Sequence, residues 1–376
     1  MLRTPLHNWH IENKGQMVEF AGWEMPIRYS GINEEHAQVR SSGGMFDVSH
    51  MGRFKISGRH ARKLLERVCT RKIFDMENGQ CRYSLVCNEQ GGVRDDVIVY
   101  RMDDDDFLVV VNASNREKLL AHFKQVQSDS SLTVNIVDQT ADTAMVALQG
   151  PKIIDLISRF SSTIPTMKKY RFMVKNLMII KLIVSRTGYT GEDGVEVILP
   201  AGSVKTVMSL LFSNINMSDP DAIIKPIGLG ARDTLRMEAA MPLYGHELGE
   251  DICALSCGVD FAISMDKDAS ERGEKFIGMD ALRKIQAEGG PKRKLAGFLI
   301  DGKRSARQGM VIRSGGREVG VVTSGCPSPT LGTCIAMGFL DTELHAPGTE
   351  LQIDTGKESV LAAKVHPLPF YKLKKS

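Results

Sequence analysis

The chain has 376 residues, which is more than a single hydrophobic core usually holds, so two or three domains are expected. Hydrophobic residues make up 42% and charged residues 25% of the chain, as in water-soluble globular proteins. The net charge of +3 gives no support for a nucleic-acid partner, and no apolar run is long enough for a membrane span.

Cysteine usage and the N-terminus both favour a reducing compartment. The seven cysteines include neither a C-x-x-C pair nor a zinc-type quartet, and the first residues lack the apolar core of a secretory signal. His246 and Glu247 have no second histidine at helical spacing, and the phosphate-loop, dinucleotide and nucleophile-elbow patterns are missing. We therefore expect a cytoplasmic protein without a metal site.

In chain order, the first 150 residues alternate between helical and extended patterns. Residues 59–68 place their apolar side chains on one helical face, and the apolar runs 97–100 and 107–111 are separated by a polar turn. The predicted helices are 34–40, 59–68 and 115–127, and the predicted strands are 54–58, 83–87, 97–100, 107–111, 132–138 and 143–148.

In the remaining residues, mixed helices and strands give way to short strands alone. The predicted elements are a helix at 153–160, a long apolar strand at 177–186, a glycine-rich loop at 187–194, a strand at 195–199, helices at 204–212 and 228–238, an exposed loop at 268–275 and a linker at 283–294. Short strands between glycine and proline turns follow at 294–300, 310–313, 318–324, 334–339 and 351–354. This pattern predicts the α+β class with a separate all-β module at the C-terminus.

Two adjacent carboxylates, Asp95 and Asp96, stand where the chain becomes an apolar strand in residues 91–100 (GGVRDDVIVY). Successive side chains of a strand point to opposite faces, so the two cannot converge on one site as glycosidase carboxylates do. If the following loop is centred on Asp104, Asp96 lies opposite Asn112. Asp96 and Asn112 could then bind a flat, nitrogen-rich ligand, with Gly91 and Gly92 allowing its close approach. The alternatives are a turn-capping aspartate or a simple pair between Asp96 and Arg94.

A second group of candidates surrounds the glycine-rich loop. Glu196 falls inside a predicted apolar strand, where an acid needs a partner. Arg232 begins a helical segment, and its guanidinium can grip an anion or a carbonyl in fork geometry. A buried ion pair between Glu196 and Arg232 is the structural alternative to a binding role.

Short stretches along almost the whole chain resemble the aminomethyltransferase of the glycine cleavage system, the T-protein. They occur in the same order as in that family and are residues 3–6 (RTPL), 20–23 (FAGW), 46–51 (FDVSHM), 83–85 (YSL), 91–96, 147–151 (ALQGP), 187–196 (TGYTGEDGVE), 231–238 (ARDTLRME), 321–329 (VVTSGCPSP) and 336–338 (AMG). Each stretch alone is a weak signal, but their joint order is specific for folate-dependent aminomethyltransferases.

The resemblance implies three domains in a cloverleaf around a central folate channel. The first would comprise residues 1–51 with 140–248, the second 52–139 with 249–282, and the third, a β-barrel-like domain, 290–376.

The resemblance also implies the reaction. Lipoylated H-protein presents an aminomethyl group, and its methylene carbon passes to tetrahydrofolate as co-substrate, giving 5,10-methylenetetrahydrofolate, ammonia and dihydrolipoyl H-protein. Neither a metal nor pyridoxal phosphate would be bound by this chain.

The resemblance also assigns roles to single residues. Asp96 matches the key acid of the family, which would position folate and stabilise cationic character on its nitrogens. The residues that match folate-contacting positions are Met51, Tyr83, Asn112, Tyr189, Glu196, Arg232 and, at the C-terminus, Tyr371.

Two departures from the family pattern keep alternatives open. Arg94 replaces an aliphatic residue beside the acid pair, and a cation there would favour the ionised carboxylate or hold Asp96 away from folate. Residues 253–261 (CALSCGVDF) replace a stretch that usually carries Pro, Glu and Trp.

The alternative functions are those of a folate-dependent demethylase of another small donor and of a non-catalytic folate-binding relative in iron–sulfur assembly. The first is usually fused to a flavin domain, and the second carries a cysteine motif that residues 324–329 (SGCPSP) do not match.

Overall fold

The computed structural model describes residues 1–356 and 359–373. They divide into two compact units, neither of which is one continuous stretch. The first unit comprises Met1–Leu64, Asp75–Tyr83 and Val97–Asp233, and the second comprises Leu65–Phe74, Ser84–Asp96 and Thr234–Ser376. The predicted three-domain boundaries are not tested by this division and stay a prediction.

The α-helices of the described residues are short, and the strands are numerous. The helices are α1 (His7–Glu12), α2 (Ile32–Ser41), α3 (Ala61–Val68), α4 (Arg116–Asp129), α5 (Ile153–Ser158), α6 (Val204–Phe212), α7 (Leu229–Glu238) and α8 (Met279–Ala287). The strands are β1 (Leu2–Arg3), β2 (Gln16–Phe20), β3 (Trp23–Arg28), β4 (Gly44–Asp47), β5 (Gly52–Ser57), β6 (Cys81–Cys87), β7 (Val93–Asp103), β8 (Asp106–Val111), β9 (Asn135–Asp138), β10 (Thr143–Gln149), β11 (Phe172–Leu177), β12 (Ile180–Ser185), β13 (Gly194–Pro200), β14 (Lys225–Pro226), β15 (Arg293–Ile300), β16 (Val311–Ser314), β17 (Arg317–Ser328), β18 (Thr333–Asp341), β19 (Glu350–Asp354) and β20 (Val360–His366).

A six-stranded sheet forms the main core of the first unit, in the order β11-β12-β13-β10-β4-β14. Its central strand β13 is buried along both faces, which explains its nearly continuous apolar sequence. Ile153 and Leu156 of α5 and Val204 and Met208 of α6 belong to the same hydrophobic cluster as the sheet residue Val195. Glu196, the one acidic residue of β13, is also buried, but on the strand face opposite to Val195.

A five-stranded sheet carries the predicted hairpin, in the order β6-β7-β8-β5-β9. Strands β7 and β8 are joined by a tight turn at residues 104 and 105. Opposite residues in the ladder include Ile98 with Val110 and Tyr100 with Leu108. The register expected from a loop centred on Asp104 is thereby confirmed for this part of the hairpin.

The C-terminal strands close into a barrel within the second unit, in the order β15-β18-β17-β16-β19-β20. Alternate residues of β19 and β20 are buried and exposed, as expected for a small barrel with a filled interior. An irregularity in β17 between Val322 and Ser324 shifts the register by one residue, which lets the strand bend. The predicted α+β class with a C-terminal all-β barrel is confirmed.

The structure corrects several predicted elements. Residues 177–186 do not form one strand, because β11 ends at Leu177 and β12 begins at Ile180. Between them, Met178 has a positive φ of 56° and Ile179 is 98% exposed, so apolar side chains occupy a turn that the composition did not reveal. The predicted linker at 283–294 begins inside α8, and β20 was missed.

The second unit contains a buried lysine just before the loop predicted at 268–275. Lys267 is fully buried, and its Nζ donates to the carbonyl oxygens of Glu66, Cys69 and Arg71 at 2.6, 2.7 and 2.7 Å. The Glu66 carboxylate lies 2.9 Å from Nζ and accepts the backbone N–H groups of residues 73 and 74. The lysine thus satisfies the carbonyl group of Glu66 in the last turn of α3 and two carbonyl groups of the segment that follows the helix.

Candidate functional site

Strand β7 begins at Val93 and includes both aspartates, so strand alternation separates them as predicted. Asp95 is fully buried, together with Val93, Val97 and Val99, whereas Asp96 is half-buried. A fully buried carboxylate is normally held by hydrogen bonds or charges inside the protein, whereas a half-buried carboxylate can contact a ligand. Asp96 is accordingly the more accessible of the two carboxylates.

The glycines before β7 serve the protein's own backbone rather than a ligand. A Cβ atom on Gly92 would lie 1.8 Å from the carbonyl oxygen of Glu250, and Gly91 has a φ of 81°. Gly92 also pairs with Cys253, and the N–H of Val93 donates to the carbonyl oxygen of Gly249. The expected role of Gly91 and Gly92 in admitting a ligand is therefore replaced by close packing against residues 249–253.

Arg94 does not pair with Asp96. Its Nη2 donates to Glu89 at 3.3 Å, and its Nη1 lies 3.6 Å from Glu250. All recorded partners of Arg94 are these two glutamates, within the part of the chain that the structure describes. The interpretation of Asp96 as a simple partner of Arg94 is thus wrong, and the arginine charge is already balanced by two carboxylates.

Asn112 directly follows β8, in extended backbone at φ −64° and ψ 144°. It lies two residues after Val110, just as Asp96 lies two residues before Ile98 in β7. Asp96 belongs to the second compact unit and Asn112 to the first, so their predicted proximity stays a prediction.

Glu196 is buried in β13 of the first unit. It lies opposite Ala147 of β10 and Ser185 of β12 in the two ladders that flank β13. Burial raises the pKa of Glu196, and the hydrogen bond from Thr187 and the charge of Arg232 lower it, with a net rise. Thr187 Oγ1 donates to Oε2, while no hydrogen bond to Oε1 is recorded among the described residues.

Arg232 of α7 is buried in the same unit and lies over the ring of Tyr189, 4.7 Å from the ring centre. Its Nη1 is buried and has no hydrogen-bond partner within residues 1–356 and 359–373. Burial lowers the pKa of Arg232, although the nearby Tyr189 and Glu196 raise it. The direct ion pair with Glu196, which was the alternative to a binding role, is not found in the described residues: no contact within 4 Å joins the two charges.

A histidine that the sequence reasoning did not select lies near these groups. His50 is buried, and burial together with the charges of Arg232 and Arg53 lowers its pKa to about 4 against the opposing charge of Asp47. Its Nδ1 is buried without a hydrogen-bond partner among the described residues. His50 lies within the family-matching stretch 46–51 (FDVSHM), but a single histidine without a nearby metal-ligand or catalytic pattern gave no reason to select it.

The other predicted contact residues are partly accessible. Met51 follows β4 in a turn and donates its N–H to the carbonyl oxygen of Val48 at 3.2 Å. Tyr83 lies in β6 and is half-buried. Tyr371 belongs to the second unit, where its N–H donates to the carbonyl oxygen of Glu238 at 2.8 Å.

The altered segment 253–261 lies in the second unit next to the start of β7. Cys257 donates its thiol to the carbonyl oxygen of Cys253 at 3.3 Å, and Phe261 is 62% exposed. Burial raises the pKa of the Cys257 thiol well above its usual range, which disfavours the reactive thiolate. All seven cysteines are free thiols.

Two absences hold for residues 1–356 and 359–373. No group of three or more His, Cys, Asp and Glu side chains is placed to hold a metal ion. Likewise, no described helix has the length and apolar character needed to cross a membrane.

Comparison with known proteins adds an independent line of evidence. The chain is 43% identical to an aminomethyltransferase from Rubrobacter xylanophilus over 100% of its own length and 95% of the relative's. It is 39% identical to an aminomethyltransferase from Symbiobacterium thermophilum, over 98% of this chain and 97% of that one. The crystal structure of glycine cleavage system aminomethyltransferase T from Bartonella henselae is similar with a TM-score of 0.88 and 28% identity, over 99% and 98% of the two chains.

Family assignment follows from both parts of the chain. Residues 6–267 match the GCVT N-terminal domain, and residues 293–372 match the glycine cleavage T-protein C-terminal barrel domain. With full-length relatives of this kind, the class is that of an enzyme, an aminomethyltransferase. The chain belongs to the glycine cleavage T-protein family.

Proposed function

We propose that this aminomethyltransferase uses tetrahydrofolate as co-substrate and the lipoylated H-protein of the glycine cleavage system as partner. It transfers the methylene carbon of the aminomethyl-lipoyl arm to folate. The family match over both parts of the chain supports this assignment.

The bond changes balance without an oxidant or a reductant. The methylene carbon loses its bonds to the lipoyl sulfur and to the amino nitrogen, and it gains bonds to N5 and N10 of tetrahydrofolate. The protons displaced from N5 and N10 end on the ammonia and on the dihydrolipoyl thiol. The protein therefore has to orient folate, stabilise cationic character on nitrogen and exclude water from the activated carbon.

The observation that carries the folate proposal is the buried guanidinium of Arg232. A buried donor without a partner costs free energy, and an oxygen acceptor of the ligand would satisfy Nη1. Glu196 Oε1 offers the complementary acceptor for the N–H groups at the edge of a pterin ring. A cation held over Tyr189 and an open carboxylate oxygen in one compact unit fit a flat ligand that has both acceptors and donors.

Asp96 is the proposed catalytic carboxylate of the reaction. Its carboxylate would lie beside the folate nitrogen that attacks the methylene carbon, where it would stabilise the positive charge that develops there. Met51, Tyr83, Asn112 and Tyr371 would line the folate site. These assignments rest on the match to the family pattern and on the half-buried position of Asp96.

The test is the formation of ammonia and 5,10-methylenetetrahydrofolate from aminomethylated H-protein and tetrahydrofolate. We expect turnover by the unaltered chain and loss of most turnover in Asp96→Asn with folate binding retained. Asp105→Asn, in the exposed turn after β7, is the matched control and should keep full activity. A folded chain that binds folate without forming either product would contradict the proposed reaction, and full activity of Asp96→Asn would contradict the role of Asp96.

The remaining expectations are that this chain needs no metal and no pyridoxal phosphate, has no nucleic-acid or membrane partner and works in the cytoplasm. The metal expectation can be measured directly. Turnover that is unchanged after dialysis against a chelator agrees with it, and activity restored only by an added divalent cation would contradict it.

A further inference from the structure

Three buried hydroxyl groups form a chain that ends on Glu196 and has no part in the reaction described so far. The Tyr100 hydroxyl lies 3.1 Å from Ser185 Oγ, and Ser185 Oγ lies 2.7 Å from Thr187 Oγ1. Thr187 Oγ1 in turn donates to Glu196 Oε2. All four residues are buried in the first unit, where an isolated hydroxyl would be costly.

The backbone explains why these groups meet. Ser185 is the last residue of β12 and lies directly opposite Glu196 of β13. Thr187 follows two residues later, and Tyr100 comes from β7 of the five-stranded sheet, whereas β12 and β13 belong to the six-stranded sheet. The chain thus links two sheets through side chains that sequence patterns assign to separate elements.

The hydroxyl chain can serve either protonation state of Glu196. When the carboxylate is ionised, the three hydroxyl groups donate one to the next toward Oε2. When Oε2 carries a proton, it donates to Thr187, Thr187 donates to Ser185, and Ser185 donates to the carbonyl oxygen of Glu196, 3.3 Å away. Tyr100 can still donate to Ser185, because a hydroxyl oxygen accepts two hydrogen bonds.

We propose that Thr187, supported by Ser185 and Tyr100, is a positioning residue that fixes Oε2 of Glu196 and thereby presents Oε1 to the ligand as a hydrogen-bond acceptor. The inference rests on the proposed folate site. Its structural basis is the asymmetry of the carboxylate, in which Oε2 is bonded to Thr187 and Oε1 has no recorded bond among the described residues.

The charges around Glu196 explain why such support is needed. Burial raises its pKa, and Thr187 and Arg232 are the groups that lower it. Cys81 and Tyr100 also interact electrostatically with Glu196 and are themselves held in their neutral forms by burial, which raises the pKa of both. Loss of the Thr187 hydroxyl leaves Arg232 alone to favour the ionised carboxylate that can accept from a ligand.

The first test measures tetrahydrofolate binding against pH for the unaltered chain, Thr187→Val and Thr187→Ser. We expect Thr187→Val to weaken binding about tenfold at neutral pH, the usual worth of a hydrogen bond to a charged group, and to move the acid limb of the binding profile to higher pH. Thr187→Ser restores both quantities, and Tyr100→Phe has a smaller effect of the same sign. Thr163→Val, an exposed position, is the matched control and should be neutral.

The second test needs no folate and separates this inference from the proposed function. Infrared difference spectra follow the Glu196 carboxyl during a pH titration, with the band assigned through Glu196→Gln. We expect a higher pKa of Glu196 in Thr187→Val than in the unaltered chain and in Thr187→Ser. An unaltered chain that fails to bind tetrahydrofolate would overturn the proposed function alone, whereas an unchanged Glu196 titration in Thr187→Val would overturn the role of Thr187.

Discussion

The buried ammonium of Lys267 gives the sharpest stability prediction. Lysine has three donor hydrogens, and all three are used by the carbonyl oxygens of Glu66, Cys69 and Arg71. The Glu66 carboxylate, 2.9 Å from Nζ, is therefore held by charge attraction, and its Oε2 has no hydrogen bond among the described residues. Lys267→Met removes the positive charge, so this carboxylate loses its charge partner and three carbonyl groups lose their donor.

The expected loss is large. Removing one member of a buried ion pair costs ~3–5 kcal/mol, and each abandoned carbonyl adds ~1–3 kcal/mol unless water reaches it. We therefore expect Lys267→Met to lower the free energy of unfolding by about 4 kcal/mol or more, a large share of the ~5–15 kcal/mol typical of whole domains. Glu66→Gln in the same chain should recover part of that loss, because it removes the uncompensated charge while Oε1 can still accept its two backbone bonds.

Urea unfolding followed by circular dichroism measures these quantities. The matched control is Lys284→Met, since Lys284 is 77% exposed and its distance to Glu288 is 4.0 Å, and it should cause no measurable change. A loss below about 1 kcal/mol in Lys267→Met, or no recovery with Glu66→Gln, would refute the reasoning from buried charge.

Three further predictions concern groups near the proposed site. The pKa of His50 is about 4 in the folded chain and 6.5 in an exposed imidazole, so on acidification the unfolded chain binds the proton first. The free energy of unfolding should therefore fall by up to about 3 kcal/mol as pH drops from 6.5 toward 4. Denaturant titrations at several pH values should show a weaker pH dependence of the free energy of unfolding for His50→Asn, and an equal pH dependence would contradict this. Gly92→Ala should destabilise the chain and lower turnover at least tenfold, because its Cβ would meet the Glu250 carbonyl oxygen at 1.8 Å, whereas Gly202→Ala, with open space around it, should be neutral in both assays. Arg94→Val should leave the pH profile of turnover unchanged, since Glu89 and Glu250 already balance the arginine; a displaced acid limb would show that Arg94 acts on the catalytic carboxylate after all.

Local sequence patterns predicted most of the helices and strands, because side-chain alternation and turn residues act over only a few neighbouring positions. Strand alternation separated Asp95 from Asp96, and the turn around Asp104 set a register that the ladder of β7 and β8 confirms. Glycine and proline spacing marked the C-terminal strands. The predicted 177–186 strand was wrong because a two-residue apolar turn carries no compositional signal, and its positive φ is visible only in the backbone.

Family membership was also determined by the sequence, since the order of many short motifs is a property of the chain itself. This resemblance added Tyr189 to Glu196 and Arg232, which local reasoning had already selected. What the motifs could not give was their contacts. The open Nη1 of Arg232, the one-sided hydrogen bonding of Glu196 and the contact of Arg94 with Glu250 are set by the folded structure and not by the motifs.

Only the tertiary structure decided which polar groups are buried together. Lys267 has the sequence context of a surface loop, yet it is enclosed by residues 66–71, about two hundred positions earlier. Tyr100, Ser185 and Thr187 belong to different strands and a loop, and they become one hydrogen-bonded chain because two sheets bring them within reach of Glu196. The physical reason is that periodicity reports which face of an element is buried, whereas the partner of a buried polar group is chosen by packing between elements.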